Sequence, residues 1–174
     1  VGDLVFKHYG DEVVISRKAD LSGHEPTEAQ LAHQARFRRA ALYGKMVMAD
    51  PETKALYDEA AKAEGKPVFS LTVADFFNAP SVDQVDVSGY AGAVGDEIVI
   101  LASDDFEVAS VGVAITDADG NEIEAGDETE TPEDSGRWVY AATIEVPTGT
   151  TVRIAVTASD RPGGVDEEET DVTL

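Results

Sequence analysis

Cysteine is absent from the 174 residues, which excludes a disulfide framework and any thiolate-ligated metal. No run approaches the roughly 18–20 apolar residues that a membrane-spanning helix needs. Val1–Tyr9 carry neither the basic start nor the long apolar stretch of a signal peptide, and the chain begins with Val in place of Met, as it would after a leader had been removed. Histidine is scarce: His8, His24 and His33 have no second ligand at i+3 or i+4, so their spacing argues against a histidine metal site. There is no Gly-rich phosphate loop and no Gly-x-Ser-x-Gly elbow, and with neither Cys nor such an elbow nothing marks a nucleophile. Lysine is missing from residues 81–174, whose only cations are Arg137, Arg153 and Arg161. That half therefore cannot offer the phosphate-neutralising surface that nucleic acid requires.

What the chain has in excess is carboxylate. The formal net charge is −22, divided as −2 over residues 1–80 and −20 over residues 81–174. Self-repulsion on this scale lowers stability unless salt or bound cations screen it. A solvated acidic surface suited to a halophilic milieu is the simplest reading; cation binding and docking of a basic partner are the alternatives.

The first half alternates short β patterns with helical ones. Leu4–Tyr9 and Glu12–Arg17 are β-branched and aromatic runs separated by Gly10-Asp11, which predicts a β-hairpin. Pro26 then sets a boundary, and Thr27 is the expected N-cap of a helix reaching about Ala49. Its apolar residues form two stripes, one with Leu31, Ala35, Leu42 and Met46, the other with Phe37, Ala40, Ala41, Gly44, Val47 and Met48, a pattern expected of a helix packed on two sides. Asp50-Pro51 should end it and open a second helix running to about Glu64, closed by Gly65. Val68–Asn78 reads as a third, short helix.

At Asn78-Ala79-Pro80-Ser81 charge balance, lysine content and hydrophobic period all change, which places a domain boundary between residues 80 and 81. Beyond it the period is two. Val82–Val87, Asp96–Ala102, Val108–Thr116, Glu122–Ala125, Arg137–Val146, Thr151–Ala158 and Glu167–Leu174 make about seven strands, the spacing of an all-β sandwich. Trp138, Tyr140, Ala142, Ile144 and Val146 share one face, as do Val152, Ile154, Val156 and Ala158, and these faces should form the core. The predicted class is thus an α+β N-terminal domain of hairpin and about three helices, followed by that sandwich.

Two segments carry a family resemblance. Ala102-Ser-Asp-Asp-Phe-Glu-Val-Ala-Ser-Val111 and Val156-Thr-Ala-Ser-Asp-Arg-Pro-Gly-Gly164 resemble the paired motifs of bacterial immunoglobulin-like domains, with Gly164 where Asn is commoner. The resemblance covers residues 82–174 and implies an immunoglobulin-like sandwich. Such modules serve as spacers, adhesins, sugar binders and parts of phage and secretion machines, so it implies no single function.

Sandwich topology predicts that the loops after the second, fourth and sixth strands meet at one end. That end would gather Asp104, Asp105 and Glu107, then Asp127, Glu128, Glu130, Glu133 and Asp134, and finally Asp160 with Arg161. Asp104, Asp105 and Asp160 are the candidate ligands for Ca²⁺, the one cofactor considered and none being required; alternatively Arg161 and the Arg36, Arg38 and Arg39 cluster would pair with this pole across the domain junction. Helical geometry splits those three arginines between two flanks, which argues against a nucleic-acid surface. Asp117–Glu122 lacks the spacing of a calcium loop and reads as a hairpin turn around Gly120 and Asn121. Trp138 and Tyr140 belong to the core-facing set, leaving no aromatic platform for a sugar.

These features favour a non-catalytic structural or interaction module in a larger surface, virion or secretion-type assembly, with a protein partner or self-assembly, no nucleic acid and no membrane insertion. A Ca²⁺-dependent binding or adhesion protein is the alternative, and an enzyme of unrecognised type the third.

Overall fold

The computed structural model describes residues 4–9, 12–18 and 25–174. Backbone contacts group the chain into two compact units, 1–36 and 37–174. The boundary expected between residues 80 and 81 falls inside the second. In the first unit, β1 (Leu4–Tyr9) pairs antiparallel with β2 (Glu12–Arg17), in register from Leu4 opposite Arg17 to Tyr9 opposite Glu12. This is the expected hairpin; its Gly10-Asp11 turn lies outside the described residues, as does His24.

Helix α1 (Glu28–Ala49) starts with a capping box. Thr27 Oγ1 accepts from Gln30 N–H at 3.3 Å, and Gln30 Oε1 accepts from Thr27 N–H at 2.9 Å, so two orphan donors are satisfied reciprocally. Its second half buries Ala40, Gly44 and Val47, whereas Leu42 and Met46 remain 60% and 70% exposed. The expectation of a helix packed on two sides is therefore corrected. The stripe of small residues is the packed one because only it admits a close neighbour: a Cβ on Gly44 would lie 2.7 Å from Thr72 Oγ1 and 2.8 Å from Phe69 Cε2.

Helix α2 (Pro51–Glu64) is bounded as the sequence predicts. Asp50 caps it by accepting from the Glu52 and Thr53 N–H groups, and Gly65 closes it at φ 66°, a left-handed conformation that glycine adopts without steric cost. Helix α3 (Val68–Phe77) follows Pro67 and buries Leu71, Thr72 and Asp75 on one face. Among the described residues no helix is long and apolar enough to cross a membrane.

Two antiparallel four-stranded sheets follow, a β-sandwich. Their eight strands are β3 (Ser81–Asp86), β4 (Glu97–Ser103), β5 (Ser110–Asp117), β6 (Glu122–Asp127), β7 (Thr129–Glu130), β8 (Arg137–Ala141), β9 (Thr151–Ser159) and β10 (Val165–Thr173). One sheet has the order β10-β9-β5-β6, the other β3-β4-β8-β7. The strand beyond the expected seven is the two-residue β7. Alternation fills the core from both sheets: Ile98, Ile100, Trp138 and Tyr140 face Val111, Val113, Ile115, Val152, Ile154 and Val156. Each such aliphatic side chain contributes roughly 1.5–3 kcal/mol on burial.

Strand β8 stops at Ala141, five residues short of the expected Val146. The buried Glu124 carboxylate explains this: its Oε2 accepts from Thr143 N–H (2.8 Å), Thr143 Oγ1 (2.6 Å) and Ile144 N–H (3.2 Å), drawing the chain out of the ladder. Ile144, expected in the core, is consequently 44% exposed, while Val146 returns to it.

Candidate functional site

Register fixes which loops converge. Leu101 pairs with Arg137, Ser110 with Ser159 and Gly112 with Asp127, so the β4–β5 loop, the chain after β6 and the β9–β10 loop lie at one end of the sandwich. Helices α2 and α3 belong to the same compact unit and contribute to this end.

Asp104 shapes the first loop. Its Oδ1 accepts from the N–H groups of Phe106 (2.7 Å) and Glu107 (3.2 Å), a turn typical of Asp side chains. The turn delivers Phe106 onto α2, where its ring stacks on Tyr57 with centroids 4.1 Å apart and planes 6° from parallel. Tyr57 is fully buried, and its hydroxyl donates to Asp75 Oδ2. With that hydrogen committed, the 2.7 Å contact between the Tyr43 and Tyr57 hydroxyls has Tyr43 as donor.

Asp75 is the focus of the site. It is 2% exposed, and its Oδ1 has no hydrogen-bond partner. Burial pushes its carboxyl up to about 7; the Tyr57 hydrogen bond opposes this, and the charges of Asp104, Asp160 and Asp105 add to it. One carboxylate oxygen each from Asp75, Asp104 and Asp105 lie within 4.8 Å of one another. Asp104 Oδ2 is likewise buried without a partner, and burial also raises its pKa. Asp105 is exposed and accepts from Asn78 Nδ2 at 2.6 Å. The donor set consists only of oxygen, the chemistry of a hard divalent cation.

The remaining sequence candidates lie around this trio. Asp160 is 7% exposed and stands outside it: its Oδ1 accepts from Gly163 N–H (2.7 Å) and Gly164 N–H (2.5 Å), while Oδ2 is unpartnered. Arg161 meets Glu107 in a fork, Nε to Oε2 at 2.7 Å and Nη2 to Oε1 at 3.1 Å, so this pair lies within the sandwich. Arg36, Arg38 and Arg39 are exposed residues of α1. His8 and His33 are exposed in β1 and α1. Glu130 is used locally, accepting from Asp134 N–H and Gly136 N–H. Asp117 closes the β5–β6 turn by accepting from Asp119 N–H and Asn121 N–H, with Gly120 at φ 84°.

Asp75 escaped the sequence reading. Its only signal is chemical: the one charged residue of the run Val68-Phe-Ser-Leu-Thr-Val-Ala-Asp-Phe-Phe77, on the helix face that also holds Leu71 and Thr72.

No protein-family model matches the sequence, and no curated protein matches it. Among solved structures the fold is similar to CopC from Methylosinus trichosporium OB3b, with 14% identity and a TM-score of 0.40 over 53% of this chain and 89% of that one. It is also similar to a Br derivative of BhCBM56, with 19% identity and a TM-score of 0.34 over 48% of this chain and 85% of that one.

Proposed function

We propose that the protein is a non-catalytic interaction module, an immunoglobulin-like sandwich carrying helices, that works as one subunit of an assembly built from copies of itself. The observation that carries this reading is the outward face of α1, where Leu42 and Met46, one helical turn apart, are 60% and 70% exposed. Isolated exposed apolar side chains are ordinary, whereas contiguous ones on one face are a feature of protein-interaction surfaces. Met46 also borders an open groove of about 460 Å³ with Tyr43, Val47, Ala109 and Arg161, room for an inserted side chain. Arg38, Arg39 and Lys45 flank the stripe, and residues 81–174 carry a net charge of −20, so the helix of one copy complements the sandwich of the next.

Light scattering coupled to size exclusion tests it, at salt high enough to screen like charges between copies. The natural sequence is expected to associate with rising concentration, whereas Leu42→Glu with Met46→Glu stays monomeric at an unchanged Tm. A natural chain that remains monomeric at every concentration and salt level would overturn the reading.

A further inference from the structure

We infer that Asp75, Asp104 and Asp105 form a Ca²⁺ site that fastens helix α3 to the β4–β5 loop. An acidic cluster alone would not justify this, since most carboxylates of this chain face solvent. Two oxygens set this one apart: Asp75 Oδ1, on a side chain 2% exposed, and Asp104 Oδ2 are both buried with no hydrogen-bond partner. Buried carboxylate oxygens are ordinarily hydrogen-bonded, paired with a cation or bound to a metal. Arg161, the cation that the sequence places nearest, is engaged by Glu107.

The spacing fits one shared ion. Ca²⁺ binds oxygens at about 2.3–2.6 Å, so ligands on opposite sides of it are about 5 Å apart. The three oxygens here all lie within 4.8 Å of one another. Ca²⁺ also tolerates irregular and bidentate carboxylate geometry, which suits Asp104 and Asp105 as consecutive residues of one loop; Mg²⁺ demands a near-ideal octahedron at about 2.0–2.1 Å. The ligands come from two segments, α3 and the loop that carries Phe106 onto Tyr57. An ion at this point therefore crosslinks helix and sandwich, and it offsets the repulsion among three carboxylates.

The inference is independent of self-assembly: the site is complete within one chain, and its test is run on the monomeric Leu42→Glu, Met46→Glu protein as well as on the natural one. Thermal unfolding is followed at pH 8 in CaCl₂, MgCl₂ and NaCl of matched ionic strength. Ca²⁺ at one hundred times its Kd is expected to raise Tm by about 5–10 °C over NaCl, and by more than Mg²⁺ does. Asp75→Asn keeps an acceptor for the Tyr57 hydroxyl and relieves the repulsion, so it should fold and lose the Ca²⁺ response; Asp105→Asn, on the exposed loop, should weaken it. Tb³⁺ supplies a second readout, its luminescence sensitised through Tyr57 and abolished by Asp75→Asn. Equal Tm values in CaCl₂ and NaCl, a stabilisation by Mg²⁺ as large as that by Ca²⁺, a Ca²⁺ response surviving Asp75→Asn, or Tb³⁺ luminescence unchanged by that substitution would each overturn the inference.

Discussion

The rings of Tyr57 in α2 and Phe106 in the β4–β5 loop lie 4.1 Å apart and 6° from parallel, and the hydroxyl at the far end of Tyr57 is bonded to Asp75 of α3. One aromatic side chain thus joins the loop of the sandwich to two helices. Phe106 is half-buried, so removing it forfeits part of the usual cost of a core phenylalanine. Phe106→Ala is expected to destabilise the protein by about 2 kcal/mol, measured as a lowered urea midpoint, and to raise tyrosine accessibility to quenchers at urea concentrations that leave the natural chain folded.

Gly44 makes a similar demand on the contact between α1 and α3. Helix propensity alone favours replacing it, by about 1 kcal/mol for alanine. Steric contact wins for a larger residue, because the added Cβ already meets Thr72 Oγ1 at 2.7 Å and Phe69 Cε2 at 2.8 Å. Gly44→Val should cost about 1–3 kcal/mol in equilibrium unfolding, and an unchanged midpoint would mean that the two helices part without penalty.

Glu124 stabilises the turn where β8 ends. With its carboxylate removed, the Thr143 and Ile144 N–H groups and the Thr143 hydroxyl lose their acceptor, and each such hydrogen bond contributes about 1 kcal/mol net. Glu124→Ala is therefore expected to destabilise by about 3 kcal/mol. The Thr143 and Ile144 amides should lose their hydrogen-exchange protection before the rest of the sandwich does. Although burial pushes the Glu124 pKa up, the hydrogen bonds from Thr143 and Ile144 hold it below the ordinary glutamate value.

Glu128 predicts the sign of one pH effect. Burial, with a smaller contribution from Asp127, pushes its carboxyl up to about 7 from 4.5. Between these values the folded chain binds the proton more tightly than the unfolded one, so stability falls as pH rises from about 4.5 to about 7 and then levels off. Its partial exposure limits the effect to about 1–2 kcal/mol. Glu128→Gln should flatten this part of the profile, measured as Tm against pH; a difference between the two proteins that is constant from pH 4 to 8 would contradict it.

Salt should act in addition to any specific ion. A net charge of −20 on residues 81–174 is screened over about 10 Å at 0.1 M salt and about 3 Å at 1 M. Tm is expected to rise steadily with NaCl and with KCl alike. A response to one of these salts and not the other would point to a selective monovalent site in place of general screening.

Periodicity and punctuation were enough to outline the secondary structure. Pro51 and Gly65 bound α2, and the alternation of Val152, Ile154, Val156 and Ala158 marks the buried face of β9. These signals are local, since caps, turns and side-chain direction depend on neighbours a few residues away. The end of β8 was not legible, because the group that ends it, Glu124, lies 19 residues earlier. The stripe of α1 that packs was not legible either, since both stripes are apolar and only the approach of Phe69 and Thr72 selects the one containing Gly44. Asp104 and Asp105 could be placed at an acidic pole from strand order. Their third partner could not: Asp75 belongs to a helix nearly 30 residues away, and two things that depend on everything packed around it, its burial, shared with Glu124 and Asp160, and its approach to Asp104 and Asp105, are what bring it into the cluster.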